Sequence, residues 1–343
     1  MINIKNILVI RTDRIGDVVL TTPAIKALRT AYPSSKITLL VAPLTYPLVC
    51  NNPDVDEVMV DDRRGEHSGW LGFLKLIMQI RRRKFDVVLV FHTKRRTNAL
   101  AFFAGITLRC GYKDKNWGGL LNCPVVDTRT NCQKHEYQYC LDVLKCLDIF
   151  SDEKQLTVSV DEQSEKWAEI FLQNKAGKDQ KLFLFHVGAS DPARMWPEEH
   201  HVVLLKMLKN YYYSVVILIG NEQLRGIAAS IKQKVPGMLD LTGNTSLSQL
   251  VSLIKRADLV VSNDSGPAHI AAAFDRPLVT IFTRNQPGIN PERWHPLGSR
   301  SLFIAPQVDN SVSFLKAGTQ GSFLSHITPD KVFSAIQELQ ALH

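Results

Sequence analysis

Several short stretches of this 343-residue chain hold residues whose types and spacing suit chemistry on anionic ligands. Asn263-Asp264-Ser265-Gly266 breaks an apolar run and opens a helix that carries His269. Pro267 suits the first helical turn, where its missing N–H would be unpaired anyway. Free N–H groups and the positive end of the helix dipole converge on such a turn, so Asp264, Ser265 and Gly266 can hold a phosphate. Capping by Asp264 or Ser265 accounts for the same residues. Gly188-Ala189-Ser190 follows a second apolar run and suits a phosphate-facing turn, while Arg194 can hold developing negative charge or lie on the surface. Glu222, just past a third run, can accept ribose hydroxyl hydrogen bonds or occupy a helix first turn. Near the N-terminus, Gly16 allows close backbone approach of a ligand. Asp13 and Asp17 flank that turn, and Asp17 suits a helix cap. Lys94-Arg95-Arg96 follows a strand directly, after His92-Thr93, and forms a candidate anion site or a solvated loop.

The elements that must carry these residues alternate between strand and helix. Strands are expected over 6–11, 36–42, 56–60 and 85–91, with a helix over 17–32 between the first two. A helix over 70–84 places Trp70, Phe73, Leu74, Ile77 and Ile80 on one face and ends in Arg81-Arg82-Arg83-Lys84. Those cations complement the negative end of the helix dipole, or touch anionic lipid heads. Residues 98–104 and 135–147 read as helices, 109–112 returns toward the sheet, and 114–131 reads as irregular. A polar break at 151–155 separates the halves. Beyond it, a helix over 161–175 precedes strands over 182–187, 214–219, 258–262 and 278–282, and a final amphipathic helix spans 329–343. This order predicts parallel α/β sheets.

Composition agrees with an ordinary globular α/β protein: 45% hydrophobic, 22% charged. No run of about 18 apolar residues predicts a membrane-spanning helix. The start enters a strand directly, with Arg11, Asp13 and Arg14 close behind, unlike a secretion signal, so a cytoplasmic location is expected. The six cysteines contain no C-x-x-C pair and read as reduced thiols, mostly packing residues, with metal binding the weaker alternative. Net charge is +8; residues 1–155 carry 23 Lys and Arg against 16 Asp and Glu, hence +7. The first half therefore faces something anionic.

RTDRIGDVVLTTPAIKALRTAYP at 11–33, FFAGITLRCGY at 102–112, HVGAS…RMWPEEH at 186–200 and SNDSGPAHIAAAFDRP at 262–277 together resemble glycosyltransferase family 9, which contains the ADP-heptose:lipopolysaccharide heptosyltransferases. The resemblance spans almost the whole chain. It implies a GT-B fold: two Rossmann-like doubly wound parallel-sheet domains facing a central cleft. Residues 1–155 would bind the acceptor, residues 156–343 the nucleotide sugar, and the final helix would cross back to the first domain. Asp17 matches the family's general base, and an inverting, in-line attack then needs no covalent intermediate. Arg194 matches a basic position that stabilises the leaving diphosphate, although first-type heptosyltransferases carry lysine there. Ser265 and Gly266 match the diphosphate cradle, Asp264 and His269 shape it, and Gly16, Gly188 and Ser190 complete the donor-binding set. Glu222 matches the ribose-binding acid. Neither a metal nor another cofactor is implied. Lys94, Arg95 and Arg96 would hold acceptor anions, while Arg81, Arg82, Arg83 and Lys84 would dock the lobe on the inner face of the inner membrane; no nucleic-acid partner is expected.

Two alternatives stay open: a family member with another nucleotide-sugar donor, and a nucleotide-sugar-binding protein without turnover. A nicotinamide oxidoreductase is disfavoured because no G-x-G-x-x-G follows the first strand.

Overall fold

Aliphatic runs become parallel strands here because both of their faces are covered. The computed structural model describes residues 4–177, 179–189, 195–283, 290–306 and 327–341. The chain divides into two units, Met1–Ser159 and Val160–His343. Residues just past the expected break belong to the first unit because they are tied to it. Thr157 N–H donates to Thr22 Oγ1 (3.0 Å), Ser159 N–H to the Leu48 carbonyl (2.8 Å), and Asn51 N–H to Ser159 Oγ (3.0 Å).

In the first unit β1 (Asn6–Ile10), β2 (Lys36–Val41), β3 (Glu57–Val60), β4 (Val87–Val90), β5 (Leu108–Lys113) and β6 (Cys123–Val126) form one sheet. Its order is β3-β2-β1-β4-β5-β6, and every neighbouring pair is parallel. Ile7 to Ile10 and Val87 to Val90 are fully buried, so β1 and β4 are its centre. The helices are α1 (Ile15–Val19), α2 (Thr22–Ala31), α3 (Gly69–Arg82), α4 (Arg95–Phe103) and α5 (Glu136–Leu144). The single helix expected over 17–32 is thus two: Pro23 cannot donate a helical hydrogen bond, and it sits in the first turn of α2. Asp17 lies inside α1, whose N-cap is Arg14, so it does not cap the helix. β6 lies in the segment expected to be irregular, and α4 begins at Arg95 rather than at Asn98.

The second unit repeats the plan. It contains α6 (Glu162–Lys175), β7 (Lys181–His186), α7 (Glu198–Tyr211), β8 (Ser214–Ile219), α8 (Arg225–Lys234), β9 (Leu239–Asp240), α9 (Leu247–Arg256), β10 (Leu259–Asn263), α10 (Gly266–Ala273), β11 (Leu278–Ile281), α11 (Pro291–Trp294), β12 (Ser301–Ile304) and α12 (Pro329–Ala341). Its sheet runs β12-β11-β10-β7-β8-β9, again all parallel. Counted within each unit, the first strand lies between the second and the fourth. The chain reverses its direction of travel there, and the crevice beyond those strand ends is where open α/β sheets bind ligands.

The final helix differs from the resemblance-based expectation. Val332, Ile336 and Leu339 of α12 join the second unit's own apolar core with Leu204, Leu208 and Val279, and Gln340 Nε2 donates to the Asp258 carbonyl (2.9 Å). An amphipathic helix packs where its apolar stripe finds a partner, and here α7 and β11 supply it.

Candidate active site

At the β1/β4 crossover the chain carries an arginine into the interior. Arg11 follows β1 directly, extends its ladder by donating to the Leu40 carbonyl (3.0 Å), and is 1% exposed. All five of its side-chain donors are used. Nε donates to Asp13 Oδ1 (2.9 Å); Nη1 to the Phe91 carbonyl (2.6 Å) and Cys140 Sγ (3.7 Å); Nη2 to Asp17 Oδ1 (2.6 Å) and Glu136 Oε1 (3.1 Å). Burial alone would pull the guanidinium's pKa down; Asp13 and Asp17 outweigh it and hold the value well above the ordinary one. A buried cation therefore grips three carboxylates drawn from α1, its preceding loop and α5. It fixes Asp17 by one oxygen and leaves Oδ2 with no hydrogen bond to the described residues. That geometry suits a carboxylate that must take a proton from a ligand hydroxyl.

His92 joins the two loops at this crossover. Thr12 N–H donates to its Nε2 (3.2 Å), so Nε2 is the acceptor and Nδ1 carries the proton. The Thr97 hydroxyl donates to the Lys94 carbonyl (2.9 Å), leaving its oxygen to accept from His92 Nδ1 (3.3 Å). Burial, followed by the charge of Arg11, pushes the imidazole's pKa well below its usual value, consistent with that neutral form.

The expected acceptor cations separate into two kinds. Lys94 is half-buried and makes no ion pair within 4 Å to the described residues; burial lowers its pKa while Asp13 pulls it back up. Arg95 is exposed in the first turn of α4. Arg96 is engaged elsewhere. Its Nε and Nη2 grip the two oxygens of Asp61 (3.0 and 2.8 Å), Nη2 also donates to the His67 carbonyl (3.0 Å), and the guanidinium lies over Phe73. Asp61 is buried, and against that burial Arg96, with Arg63 (Nε to Oδ2, 3.0 Å), holds its carboxyl below the usual range. Arg96 is a structural residue rather than an anion ligand.

The β7/β10 crossover is built around hydroxyls, an amide and an imidazole, beside the carboxylate of Asp264. Ser262 Oγ–H donates to the Asn263 carbonyl (2.8 Å), so it accepts from Ser265 Oγ–H (2.9 Å), which accepts from His186 Nδ1–H (3.1 Å). Burial pushes the His186 pKa down to about 4, so this imidazole is neutral. Ser265 is the N-cap residue of α10, yet its side chain makes no capping bond, because the hydroxyl is turned toward His186. In the first turn of α10 Pro267 has no N–H and Ala268 N–H donates to the Ser265 carbonyl (3.1 Å), so Gly266 N–H is the group that the Ser265 side chain leaves uncapped. Asp264, Ser265 and Gly266 are half-buried and His269 is buried. Asn263 ties this turn to the neighbouring loop: its Nδ2 donates to the Gly188 carbonyl (3.1 Å) and its Oδ1 accepts from Trp196 N–H (3.1 Å).

Gly188 has a different reason from the expected one. A Cβ there would lie 2.3 Å from Leu224 Cδ1, so the glycine admits a packed leucine rather than open ligand space. Ser190 and Arg194 lie outside the described residues. Glu222 follows β8 with a side chain 80% exposed, its Oε1 3.4 Å from Arg225 Nη1. Gly16 is buried in the first turn of α1, beside Asp17.

Sequence reasoning missed Arg11, Glu136, His92 and Asn263. One signal was available for Arg11, an arginine continuing a strand that is otherwise wholly apolar. The fold also gathers Cys110, Cys123 and Cys146, whose sulfurs lie within 4.8 Å of one another. Cys110 and Cys123 are paired across β5 and β6, and Cys146 Sγ donates to the Cys123 carbonyl (2.7 Å). Thiol hydrogen bonds, first that from Cys110, hold the Cys146 pKa down to about 7.

With this geometry in place, the comparisons are specific. The family model described as glycosyltransferase family 9 (heptosyltransferase) matches residues 73–317. Lipooligosaccharide heptosyltransferase 2 of Haemophilus influenzae is 28% identical over 356 residues, covering 98% of this chain and 99% of the relative. Among solved structures, the glycosyl transferase family 9 protein of Veillonella parvula superposes with a TM-score of 0.85 at 22% identity, over 99% of this chain and 98% of that one. E. coli ADP-heptose lps heptosyltransferase II gives 0.78 at 23% identity, over 98% and 99%. The fold they share with this chain is GT-B. The chain is a glycosyltransferase, and it belongs to glycosyltransferase family 9 (heptosyltransferase).

Proposed function

We propose that this enzyme transfers heptose from ADP-L-glycero-D-manno-heptose to an inner-core sugar of lipopolysaccharide, with inversion and without a metal. The reading is supported by the names of its full-length relatives and by one observation above all: Asp17, held through Oδ1 by buried Arg11, keeps Oδ2 open at the β1/β4 crossover. The acceptor hydroxyl attacks the anomeric carbon as Asp17 Oδ2 takes its proton. The bond from that carbon to the diphosphate oxygen breaks, and the electron pair departs with ADP. Attack opposite the leaving group inverts the centre, so one base suffices.

The first unit binds the acceptor, with Lys94 and Arg95 meeting its anionic groups. The second unit binds the nucleotide sugar. The N-terminus of α10, with Ser265 and Gly266, and Arg194 carry the leaving diphosphate; Glu222 accepts from the ribose hydroxyls. These groups supply the positive potential that a metal ion supplies in other transferases. The acceptor is anchored in the inner membrane, so the enzyme works on that membrane's cytoplasmic face.

The test is a donor and acceptor panel. Purified protein is incubated with ADP-heptose, other nucleotide sugars and heptose-deficient lipopolysaccharide, with and without EDTA, and the product is identified by mass and anomeric configuration. One added heptose of inverted configuration, made equally well in EDTA, is the expected result. Transfer from a different nucleotide sugar would replace the donor, and a strict Mg²⁺ requirement would overturn the metal-independent route.

A further inference from the structure

We propose that the outward face of α3 is a docking surface for an anionic lipid bilayer. The inference rests on the acceptor reading above, which brings the enzyme to a membrane, and it names the part of the chain that meets that membrane. The sequence pattern places Trp70 and Leu74 with Ile77 and Ile80 on one apolar face. The structure separates them. Leu76, Ile77 and Ile80 are buried with Gly72, whereas Trp70, Leu71, Leu74 and Met78 are 71%, 64%, 43% and 52% exposed.

At about 100° per residue these four project from a single arc roughly 100° wide, and Arg81 falls within it with Arg82 at its edge. Single exposed apolar residues are ordinary; a tryptophan, two leucines and a methionine sharing one helical arc are not. Tryptophan and leucine over a row of cations is the composition of a helix lying in the headgroup region.

The cations on this helix are not equivalent. Arg83 is held by Glu57 Oε1 (Nε 3.0 Å, Nη2 2.7 Å), and Lys75 by Glu66 (2.9 Å). Arg81 and Arg82 make no hydrogen bond or ion pair to the described residues, so their charge is available to a partner. Residues 1–155 carry a net +7, from 23 basic and 16 acidic side chains, which favours an anionic partner.

Co-sedimentation with phosphatidylethanolamine–phosphatidylglycerol vesicles, against phosphatidylcholine vesicles, tests this at low and high salt. The wild type is expected to partition onto the anionic vesicles. Arg81→Gln with Arg82→Gln lowers partitioning by about tenfold or more at low salt and much less at high salt, since each surface cation contributes about fivefold and is screened. Trp70→Ser with Leu74→Ser weakens it at both salts. Phe150→Ser, which removes a lone exposed aromatic, leaves it unchanged. Thermal unfolding confirms that each variant folds.

Transfer to a soluble, deacylated acceptor stays at wild-type level in every docking variant. Absent transfer by a wild type that still binds vesicles would sink the acceptor reading alone. A wild type that stays in solution with anionic vesicles, or variants that bind as it does, would overturn the docking surface. So would a Trp70/Leu74 variant whose only change is loss of a dimer.

Discussion

The two crossovers of this molecule have the same topology and different side-chain chemistry. At β1/β4 a buried guanidinium holds three carboxylates, and half-buried Lys94, with no ion pair to the described residues, stands nearby. At β7/β10 the same place in the fold holds two serine hydroxyls, an asparagine amide and a neutral histidine, with Asp264 in the turn. Topology decides where a ligand can sit, because both crevices open beyond strand ends where the chain reverses direction. Side chains decide what the crevice does. A carboxylate array fixed by a buried cation suits proton transfer, whereas a helix N-terminus lined by hydroxyls suits an anionic diphosphate.

The contrast can be broken most severely at Arg11. Arg11→Met removes the buried cation shared by Asp13, Asp17 and Glu136 and is expected to destabilise the first unit by about 3–5 kcal/mol. Urea unfolding followed by limited proteolysis of each unit measures this. A loss below about 1 kcal/mol would show that the network is not held by its cation. Adding Glu136→Gln to Arg11→Met should restore part of the lost stability.

The second unit's weakness is acid. His186 has a folded-state pKa near 4 against about 6.5 when unfolded. Below the higher value the unfolded chain takes a proton that the folded one refuses. Stability is therefore complete above about pH 6.5, falls as pH drops toward 4, and loses about 3 kcal/mol over that range. His186→Gln should flatten the decline by that amount, while buried His201, whose pKa lies at about 3, leaves a residual slope. An unchanged pH profile in the variant would mean that His186 is not the group responsible.

A smaller effect is expected at Glu222. Its carboxylate is exposed, and Glu222→Ala should weaken ADP binding by about tenfold in calorimetry, the scale of one charged hydrogen bond. Wild-type affinity in the variant would remove the ribose role.

The parallel sheets were legible because buried strands are written as aliphatic runs, and Gly16-Asp17 and Asp264-Ser265-Gly266 because their turns follow such runs directly. What was not legible depends on distance. Arg96 reads as a free cation because its partner Asp61 lies 35 residues away. Arg11 reads as the end of a strand and is given no role, because its partners Phe91 and Glu136 lie 80 and 125 residues away. Gly188 reads as ligand-facing until Leu224 is seen against it. β6 was missed because it is four residues long and includes Pro124, a residue that argues against a strand. Trp70 and Leu74 fit the apolar stripe of α3 by spacing, and only the fold shows which arc is covered.

The most direct test of the account is the single-turnover rate of heptosyl transfer by Asp17→Asn and Asp13→Asn, measured beside their ADP affinity. Both carboxylates bind Arg11, so both substitutions disturb the network. If Asp17 is the base, Asp17→Asn lowers the rate by about 10²-fold or more with ADP affinity unchanged, and Asp13→Asn lowers it far less. Near-normal transfer by Asp17→Asn, or a larger loss in Asp13→Asn, would contradict it.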